Sequence, residues 1–211
     1  MKIEVLDLKP IKNTNITIFL IDKTKINLKL TDIDLLKALV NTNNVSFITV
    51  EMNNEYFKNF KNSNLSVLLN ALNLEYFLLD MPEYAYGYLF DEIIKKEEQI
   101  RELSIEYNNM DNIDSFKGLN LKSWVDVLKK EVLQDINVLE TKTRPQWIVK
   151  KILDLIRLHK NEEICLLHFF HEKSLIEITK QLRELHIEAI LYEMNKFHNI
   201  SYLTIKQEVN N

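Results

Sequence analysis

The chain has 211 residues, of which 46% are apolar and 27% charged, and it carries a formal net charge of −4. This composition predicts a soluble globular protein that can bury a real core. Its acidic balance argues against a general nucleic-acid-binding protein, which usually has a basic face. No stretch approaches the roughly 18–20 apolar residues of a membrane span, and the N-terminus lacks the apolar run of a signal peptide. The single cysteine, Cys165, suits a reducing compartment, so we expect a cytoplasmic location.

Glycine is scarce, and its scarcity excludes two nucleotide-binding motifs. Only Gly87 and Gly118 occur in the chain, and the pattern places Gly87 in a helix and Gly118 in a loop. A P-loop and a dinucleotide fingerprint both need glycines directly after a strand, so that backbone amides can approach phosphate. The sequence therefore contains no NAD or ATP motif.

The N-terminal part predicts strands. "KIEVLDL" at 2–8 alternates in polarity, "ITIFLID" at 16–22 is an apolar run typical of a strand covered on both faces, and "KINLKL" at 25–30 alternates again. The polar "DKTK" between the last two would form the turn of an antiparallel edge hairpin. A short helix follows from Thr31, whose hydroxyl can cap it.

Two strands separated by helical sequence come next. They are "VSFITV" at 45–50 and "LEYFLL" at 74–79, and a long helix begins near Pro82. "DNIDSFKGLN" at 111–120 consists of turn formers and predicts a flexible loop or lid before a further amphipathic helix. Residues 82–137 therefore form a predicted helical excursion or lobe.

The C-terminal part completes an alternating pattern. A helix with Pro145 in its first turn precedes the strand "EICLLHFF" at 163–170, and another helix precedes "EAILYE" at 188–193 and a strand-like piece at 200–208. Strands that alternate with helices predict a mostly parallel sheet flanked by helices. We therefore predict a single α/β domain over residues 1–211, with a helical insertion and an antiparallel edge hairpin.

Polar residues collect at the predicted carboxyl ends of the strands, where open α/β sheets bind ligands. They are Asp22, Glu51, Asp80, His171, Glu172 and Glu193. Glu51 and Asp80 each end an apolar strand, so the two carboxylates could hold a divalent metal or carry out acid–base chemistry. Each could instead cap the following turn or helix, Asp80 doing so ahead of Pro82.

The stretch "ICLLHFFHEKSL" at 164–175 contains two histidines. Residues three apart in a strand point to opposite faces, so His168 and His171 are not expected to chelate one ion. His168 is predicted to pack on a sheet face with its ring hydrogen-bonded, whereas His171 lies at the strand end beside the rim. Cys165 is predicted to be a small buried apolar side chain.

An aromatic group follows Pro82 and consists of Tyr84, Tyr86, Tyr88 and Phe90. Even spacing on a helix distributes these rings around its surface. They could pack in the core, line a pocket for an apolar ligand, or form an interface with a protein partner or a second copy in a homodimer.

The segment "TRPQWIVKKILDLIRLHKNEEICLLHFFHEKSLIEITKQLRE" resembles the TraB/PrgY-like family of the EreA/ChaN-like superfamily. Arg144 matches the family's helix-opening arginine and His171 its histidine, while "ITVEMN" puts Glu51 at the family's acidic position. "NLEYFLLDMPEYAYGYL" is similar to the next family strand, with Asp80 ahead of the insertion. The resemblance covers about two thirds of the chain. It implies a relation to metal-dependent proteases and to haem-binding or esterase-like proteins.

The chain departs from the family pattern at two places. The family's Gly-x-x-His motif after the first strand is missing from "ITIFLIDKTK", and Phe169 and Phe170 replace the glycines near the second histidine. These departures predict a degenerate member, a pseudoenzyme that has lost or altered its chemistry.

Three functions follow as hypotheses. The first is a non-catalytic, degenerate hydrolase-like protein with a binding or regulatory role. The second is a TraB-like metal-dependent hydrolase in which Glu51, Asp80, Arg144 and His171 are catalytic, and Glu51 and His171 are the predicted ligands if a metal is bound. The third, a nuclease-like or nucleic-acid module using Lys150, Lys151 and Arg157, is disfavoured by the net acidity.

Overall fold

The computed structural model describes residues 11, 15–26, 30–52, 60, 63–159 and 163–192. Its helices and strands are, in chain order, β1 (Asn15–Asp22), α1 (Leu30–Thr42), β2 (Phe47–Val50), α2 (Asn64–Leu72), β3 (Tyr76–Leu78), α3 (Glu83–Asn108), α4 (Phe116–Val138), α5 (Arg144–His159), β4 (Glu163–Phe170), α6 (Leu175–Glu184) and β5 (Glu188–Tyr192). Short 3-10 turns at Lys23–Lys25 and Glu172–Ser174 follow β1 and β4, and a π-helical turn at Leu139–Thr143 joins α4 to α5. None of the described helices combines the length and apolarity that crossing a membrane requires.

The five described strands form one sheet in the order β3-β2-β4-β1-β5, and every pairing in it is parallel. The strands form because their apolar runs can be buried on both faces: Ile18, Phe19, Leu20 and Ile21 of β1 are all buried. Such continuous runs are typical of parallel sheets with helices on both sides. The predicted α/β fold, a parallel sheet flanked by helices, is confirmed.

Helices pack against both faces of this sheet. Apolar side chains of α1 and α2 pack with one face of the strands, and those of α5 and α6 pack with the other. This division follows from right-handed crossovers, because the chain moves through β1, β2 and β3 toward one edge and then returns through β4 to β5 at the other edge. The chain therefore leaves β2 and its neighbour β4 toward opposite faces, which makes their carboxyl ends a topological switch point.

Residues Met81–Thr143 form a second compact unit, distinct from the unit formed by Met1–Asp80 and Arg144–Asn211. In this helical unit, α4 buries Gly118, Leu121, Val125 and Val132. These positions fit a spacing that alternates between three and four residues, as in a coiled coil. The prediction of one domain with an excursion at 82–137 stays a prediction.

Two ion-pair clusters join α3 to α4. Lys96 lies 3.0 Å from Glu131 and 2.8 Å from Asp135, and Lys117 lies 2.6 Å from Glu106. The two acidic partners raise the pKa of Lys96. These contacts are largely exposed, so each contributes only about 0–1 kcal/mol, and they mainly specify how the two helices align.

Several sequence predictions differ from the structure or fall outside the described residues. The antiparallel edge hairpin is not confirmed, because Lys25 lies in a 3-10 turn and Leu30 begins α1, while 2–8, 27–29 and 200–208 lie outside the described residues. Gly87 lies within α3 as predicted. The prediction that Gly118 lies in a loop is wrong: Ser115 caps α4 by accepting a hydrogen bond from the Gly118 amide, so the helix begins earlier.

Candidate functional site

Glu51 lies at the switch point, directly after β2, and its side chain is fully buried. Its own amide donates to the carbonyl of Phe169 in β4 at 2.9 Å, which carries the sheet pairing past the end of β2. One carboxylate oxygen, Oε1, accepts a hydrogen bond from the Ser174 hydroxyl at 2.5 Å. The other, Oε2, accepts one from the backbone amide of His171 at 3.1 Å. The carboxylate is thus bound by the turn that leads from β4 into α6.

His168 meets the same carboxylate from within β4. Its Nε2 lies 3.5 Å from Glu51 Oε1, within ion-pair distance, and among the described residues this buried nitrogen has no hydrogen-bond partner. Its Nδ1 lies 2.9 Å from the hydroxyl of Thr49, which itself donates to the Leu167 carbonyl at 3.3 Å. Thr49 and His168 are direct partners in the β2–β4 register. A buried polar chain therefore runs from Thr49 through His168 and Glu51 to Ser174.

These contacts decide the ionisation of Glu51. Burial by itself would raise the pKa of this carboxyl, but His168, the Ser174 hydroxyl and the His171 amide together hold the pKa below its usual value. The cause is hydrogen bonding and Coulombic attraction to the charged form. Glu51 is therefore a carboxylate at neutral pH, although it is completely buried.

Lys23 brings a positive charge to the same end of the sheet. It lies in the 3-10 turn after β1, and its Nζ donates a hydrogen bond to the backbone carbonyl of Glu51. Burial lowers the pKa of Lys23, as does repulsion from Arg144, whereas attraction to Glu51, Asp80 and Asp22 opposes the lowering. Lys23 thus interacts electrostatically with groups that follow β1, β2 and β3.

Asp80 and Arg144 form a two-pronged ion pair. Asp80 follows β3 and Arg144 opens α5; Nε donates to Oδ1 at 2.9 Å and Nη2 donates to Oδ2 at 2.8 Å. The side chain of Asp80 is 9% and that of Arg144 20% exposed. Parallel charge-assisted bonds of this kind fix both side chains in one orientation. Asp80 does not cap α3, because Pro82 occupies the cap position and no side chain caps it.

The four residues predicted as catalytic therefore fall into two groups. Glu51 and His171 are in contact, but through the backbone amide of His171. The ring of His171 instead accepts a long hydrogen bond of 3.4 Å from the Lys173 amide and caps its own turn. Asp80 and Arg144 form the second group, and Lys23 interacts with both groups.

The remaining predicted rim residues have local roles or lie elsewhere. Asp22 caps the turn after β1, accepting from the amide and hydroxyl of Thr24 at 2.9 and 2.6 Å. Burial would raise the pKa of Asp22, but these bonds and Lys25 hold it below its usual value. Glu172 lies in the turn after β4, and Glu193 lies outside the described residues.

Metal-ligating side chains do not converge in the part of the chain that the structure describes: no group of three or more His, Cys, Asp or Glu residues there could hold an ion. Cys165, predicted as a buried apolar side chain, is half-buried, and burial with the nearby Glu188 raises its pKa to about 11. Its thiol is therefore protonated and a poor nucleophile at neutral pH.

Three residues of the site were missed in the sequence: Lys23, Ser174 and His168 as a partner of Glu51. Because β1, β2 and β4 are distant along the chain yet adjacent in the sheet, no local spacing signals their contact. Ser174 had one usable signal, a hydroxyl just ahead of a helix, and in the structure that hydroxyl binds Glu51.

Basic residues of α5 are engaged on their own helix. Lys150 and Arg157 each lie 3.0 Å from Asp154, and Lys151 lies over the ring of Trp147, 5.3 Å from its centroid. The expectation that this helix does not bind nucleic acid stays a prediction.

No protein-family model, curated protein or solved structure matches this chain significantly. The resemblance to the TraB/PrgY-like family therefore remains a prediction.

Proposed function

We propose that the chain is a non-catalytic, degenerate hydrolase-like α/β protein with a binding or regulatory role. The observation that carries this proposal is the position of the Glu51 carboxylate. It accepts hydrogen bonds from the His171 amide and the Ser174 hydroxyl at the topological switch point.

The switch point is where related architectures bind their ligands. In open α/β sheets, backbone amides at the start of a helix beyond a strand's carboxyl end bind phosphate or another anion. Here one backbone amide and one hydroxyl of the turn leading into α6, those of His171 and Ser174, donate to Glu51. A substrate anion would have to displace a fully buried carboxylate whose charged hydrogen bonds each contribute about 1.5–3 kcal/mol.

The guanidinium at this end of the sheet is also engaged. The guanidinium of Arg144 directs two donors at Asp80. The same planar arrangement would otherwise suit a phosphate or carboxylate ligand. The turn donors, the guanidinium of Arg144 and the ammonium of Lys23 all bind groups of the chain itself, which supports a scaffold role for this rim.

One observation favours the alternative, a TraB-like metal-dependent hydrolase using Glu51, Asp80, Arg144 and His171. Lys23, which follows β1, donates a hydrogen bond to the backbone carbonyl of Glu51, which follows β2, so polar groups of adjacent loops meet at this rim as residues of one catalytic centre would. In that case Glu51 would exchange its bond to Ser174 for a metal, and the ring of His171 would turn away from Lys173.

Thermal melting of the full chain with Zn²⁺, Mn²⁺ or Mg²⁺ separates the two functions. A metal bound only by the folded state at 100 times its Kd adds about 2.7 kcal/mol of stability. Our proposal expects no shift of the melting temperature with any of the three ions, because Glu51 is already hydrogen-bonded on both oxygens.

The matched control is His171→Ala, which leaves the backbone amide that binds Glu51 in place. A metal-dependent increase in melting temperature that is present in the wild type and absent in His171→Ala would establish the hydrolase alternative. Our proposal requires that metal leave the melting temperature unchanged in the wild type and also in His171→Ala.

A further inference from the structure

The chain passes between its two compact units at two points. It leaves the sheet unit, formed by Met1–Asp80 and Arg144–Asn211, after Asp80, and it returns to this unit at Arg144. The same two residues form the two-pronged ion pair, which we call the junction pair. It lies within the sheet unit and holds together the two ends of the inserted segment, although residues 81–143 separate its partners along the chain.

The junction pair adjoins an apolar contact region shared by β3 and α5. Leu79, directly before Asp80, belongs to the same buried apolar cluster as Ile148 and Val149 of α5. The Leu79 amide donates to the Val50 carbonyl at 2.7 Å, which carries the sheet pairing past the end of β3. β3 itself is an edge strand of three half-buried residues. Contacts within the sheet unit therefore hold the end of this short strand and the start of α5.

The junction pair is stronger than an exposed ion pair. Its two side chains are largely buried, and its parallel charge-assisted bonds are about twice as strong as neutral ones. Removing one partner would leave the other charge largely buried without this pair, which destabilises a fold strongly. By contrast, the pair of Lys117 and Glu106 in the helical unit is exposed and contributes little. The junction pair can therefore persist while contacts elsewhere open.

We propose that the junction pair uncouples the unfolding of the helical unit from the unfolding of the sheet unit. When the helical unit unfolds, residues 81–143 become a flexible loop whose ends the pair still holds together. The entropy cost of closing a loop grows only slowly with its length, so the sheet unit can carry this loop without losing β3 or α5. Without the pair, the loop ends separate, and the end of β3 and the first turns of α5 open together with the helical unit.

The consequence is a helical unit that can open while the polar chain around Glu51 stays formed. Proteins draw the elements that move in binding and switching from such low-stability parts. This inference goes beyond the proposed function and does not depend on it, because it concerns the coupling between two units. Its test follows amide exchange, whereas the proposed function is tested by metal-dependent melting, so the two can fail separately.

The test perturbs the helical unit and follows the junction. Gly118→Ala is the perturbation, because a Cβ at Gly118 would meet the backbone of Ile113. Native-state hydrogen exchange of the full chain then follows the amides of Leu79, Ile148 and Val149 beside those of α3. In the otherwise wild-type chain, Gly118→Ala should lower the protection factors of α3 by at least about 5-fold. The three junction amides should change by less than about 2-fold, since they do not open with the helical unit.

Breaking the junction pair should make the same perturbation spread. In an Asp80→Asn background, Gly118→Ala should lower the protection of the three junction amides by at least about 5-fold, as it does in α3. This readout separates uncoupling from a local stabilising role, which would lower junction protection without making it respond to Gly118→Ala. Arg144→Lys keeps the charge but not the two parallel bonds, so it should give a partial response.

Asp154→Asn is the matched control. It removes an exposed carboxylate that pairs with Lys150 and Arg157 on the same helix as Arg144. In this background the junction amides should remain insensitive to Gly118→Ala, as in the wild type. Arg144→Lys carries the test if Asp80→Asn does not fold. Val125→Ala, which removes buried side-chain volume from α4, replaces Gly118→Ala if that change leaves α3 protection unaltered.

Two outcomes would overturn the inference. The first is a loss of protection at Leu79, Ile148 and Val149 when the helical unit is perturbed in the wild-type background, because the units would then already unfold together. The second is junction amides that stay insensitive to the perturbation in every folded variant of Asp80 or Arg144, because the pair would then have no part in the uncoupling.

Discussion

Glu51 and Asp22 are carboxylates at the ends of parallel strands, and each is stabilised by hydrogen bonds from a turn at the same edge of the sheet. Asp22 accepts hydrogen bonds from Thr24 in its own turn, whereas Glu51 accepts them from the turn after the neighbouring strand β4. In both cases the hydrogen bonds outweigh burial and lower the pKa. The two carboxylates differ in the location of their donors. The donors to Glu51 follow a different strand, so its ionisation is coupled to the stability of the sheet.

The change Glu51→Gln should remove a pH-dependent part of the stability. The folded-state pKa of Glu51 lies below its ordinary value of 4.5, so the ionised group stabilises the fold fully above about pH 4.5. That stabilisation is lost as the pH falls through the lower folded-state pKa. Near pH 7 we expect Glu51→Gln to lower the free energy of unfolding by about 1–3 kcal/mol, because one buried donor loses its charged acceptor.

Urea unfolding of wild type and Glu51→Gln between pH 3 and pH 7 measures this effect. Because Asp22 and other carboxyls contribute equally to both proteins, the difference between the two free energies isolates Glu51. The difference should be largest near neutral pH and shrink toward pH 3. A difference that stays constant over the whole range would mean that Glu51 is not stabilised as a carboxylate.

At the scale of the element, α4 shows that one helix end can be determined by a single side chain. Turn-forming residues at 111–120 indicate a loop in the sequence, yet the helix begins at Phe116 because Ser115 caps it. Gly118 lies in the first turn, close to the backbone of Ile113. The segment after α4 also remains helical, through a π-helical turn into α5, so turn-like composition did not end the helix.

The two glycines give a matched pair of substitutions with opposite expected effects. A Cβ at Gly118 would meet the Ile113 carbonyl oxygen at 2.2 Å, so the backbone must move, whereas a Cβ at Gly87 has nothing within 4 Å. We expect Gly118→Ala to destabilise by about 1–3 kcal/mol. Gly87→Ala should stabilise α3 by about 0.5–1 kcal/mol, because alanine loses less backbone entropy in a helix.

Chemical denaturation of the two variants and the wild type measures both effects. Each variant is the control of the other, since both make the same chemical change in a helix of the same unit. If Gly118→Ala stabilises the protein as Gly87→Ala is expected to do, the close approach of Ile113 to Gly118 does not limit that position.

At the scale of the whole molecule, the parts that the sequence could predict are those set by apolar runs. "ITIFLID" and "EICLLHFF" are long and continuous, and they form adjacent strands β1 and β4 at the centre of the sheet. The hairpin prediction depended instead on the short alternating segment 25–30, whose described ends lie in a turn and a helix. Short alternating segments are weak signals, because few residues define their period.

The candidate site was predictable only in part, for a reason of topology. Glu51, Asp80 and His171 follow apolar strands, so their places at the carboxyl ends could be inferred from parallel pairing alone. Which of them touch depends on strand order, and β4 inserts between β1 and β2 although it comes later in the chain. That insertion brings His168 and Ser174 to Glu51, and no sequence separation indicates it.

The two compact units should differ in local stability. β4 is paired on both sides and buried by helices on both faces. The described part of the helical unit buries fewer apolar side chains: Met81, Ile93, Leu121, Val125, Val132 and Leu139.

The free energy of local opening scales with buried apolar contacts. Native-state hydrogen exchange should therefore give α3 amides an opening free energy at least about 2 kcal/mol lower than that of the amides of Leu166–Phe169. Gly118→Ala should lower protection in α3 and α4 while leaving β4 unchanged. Equal opening free energies in α3 and β4 would instead show that the units unfold together.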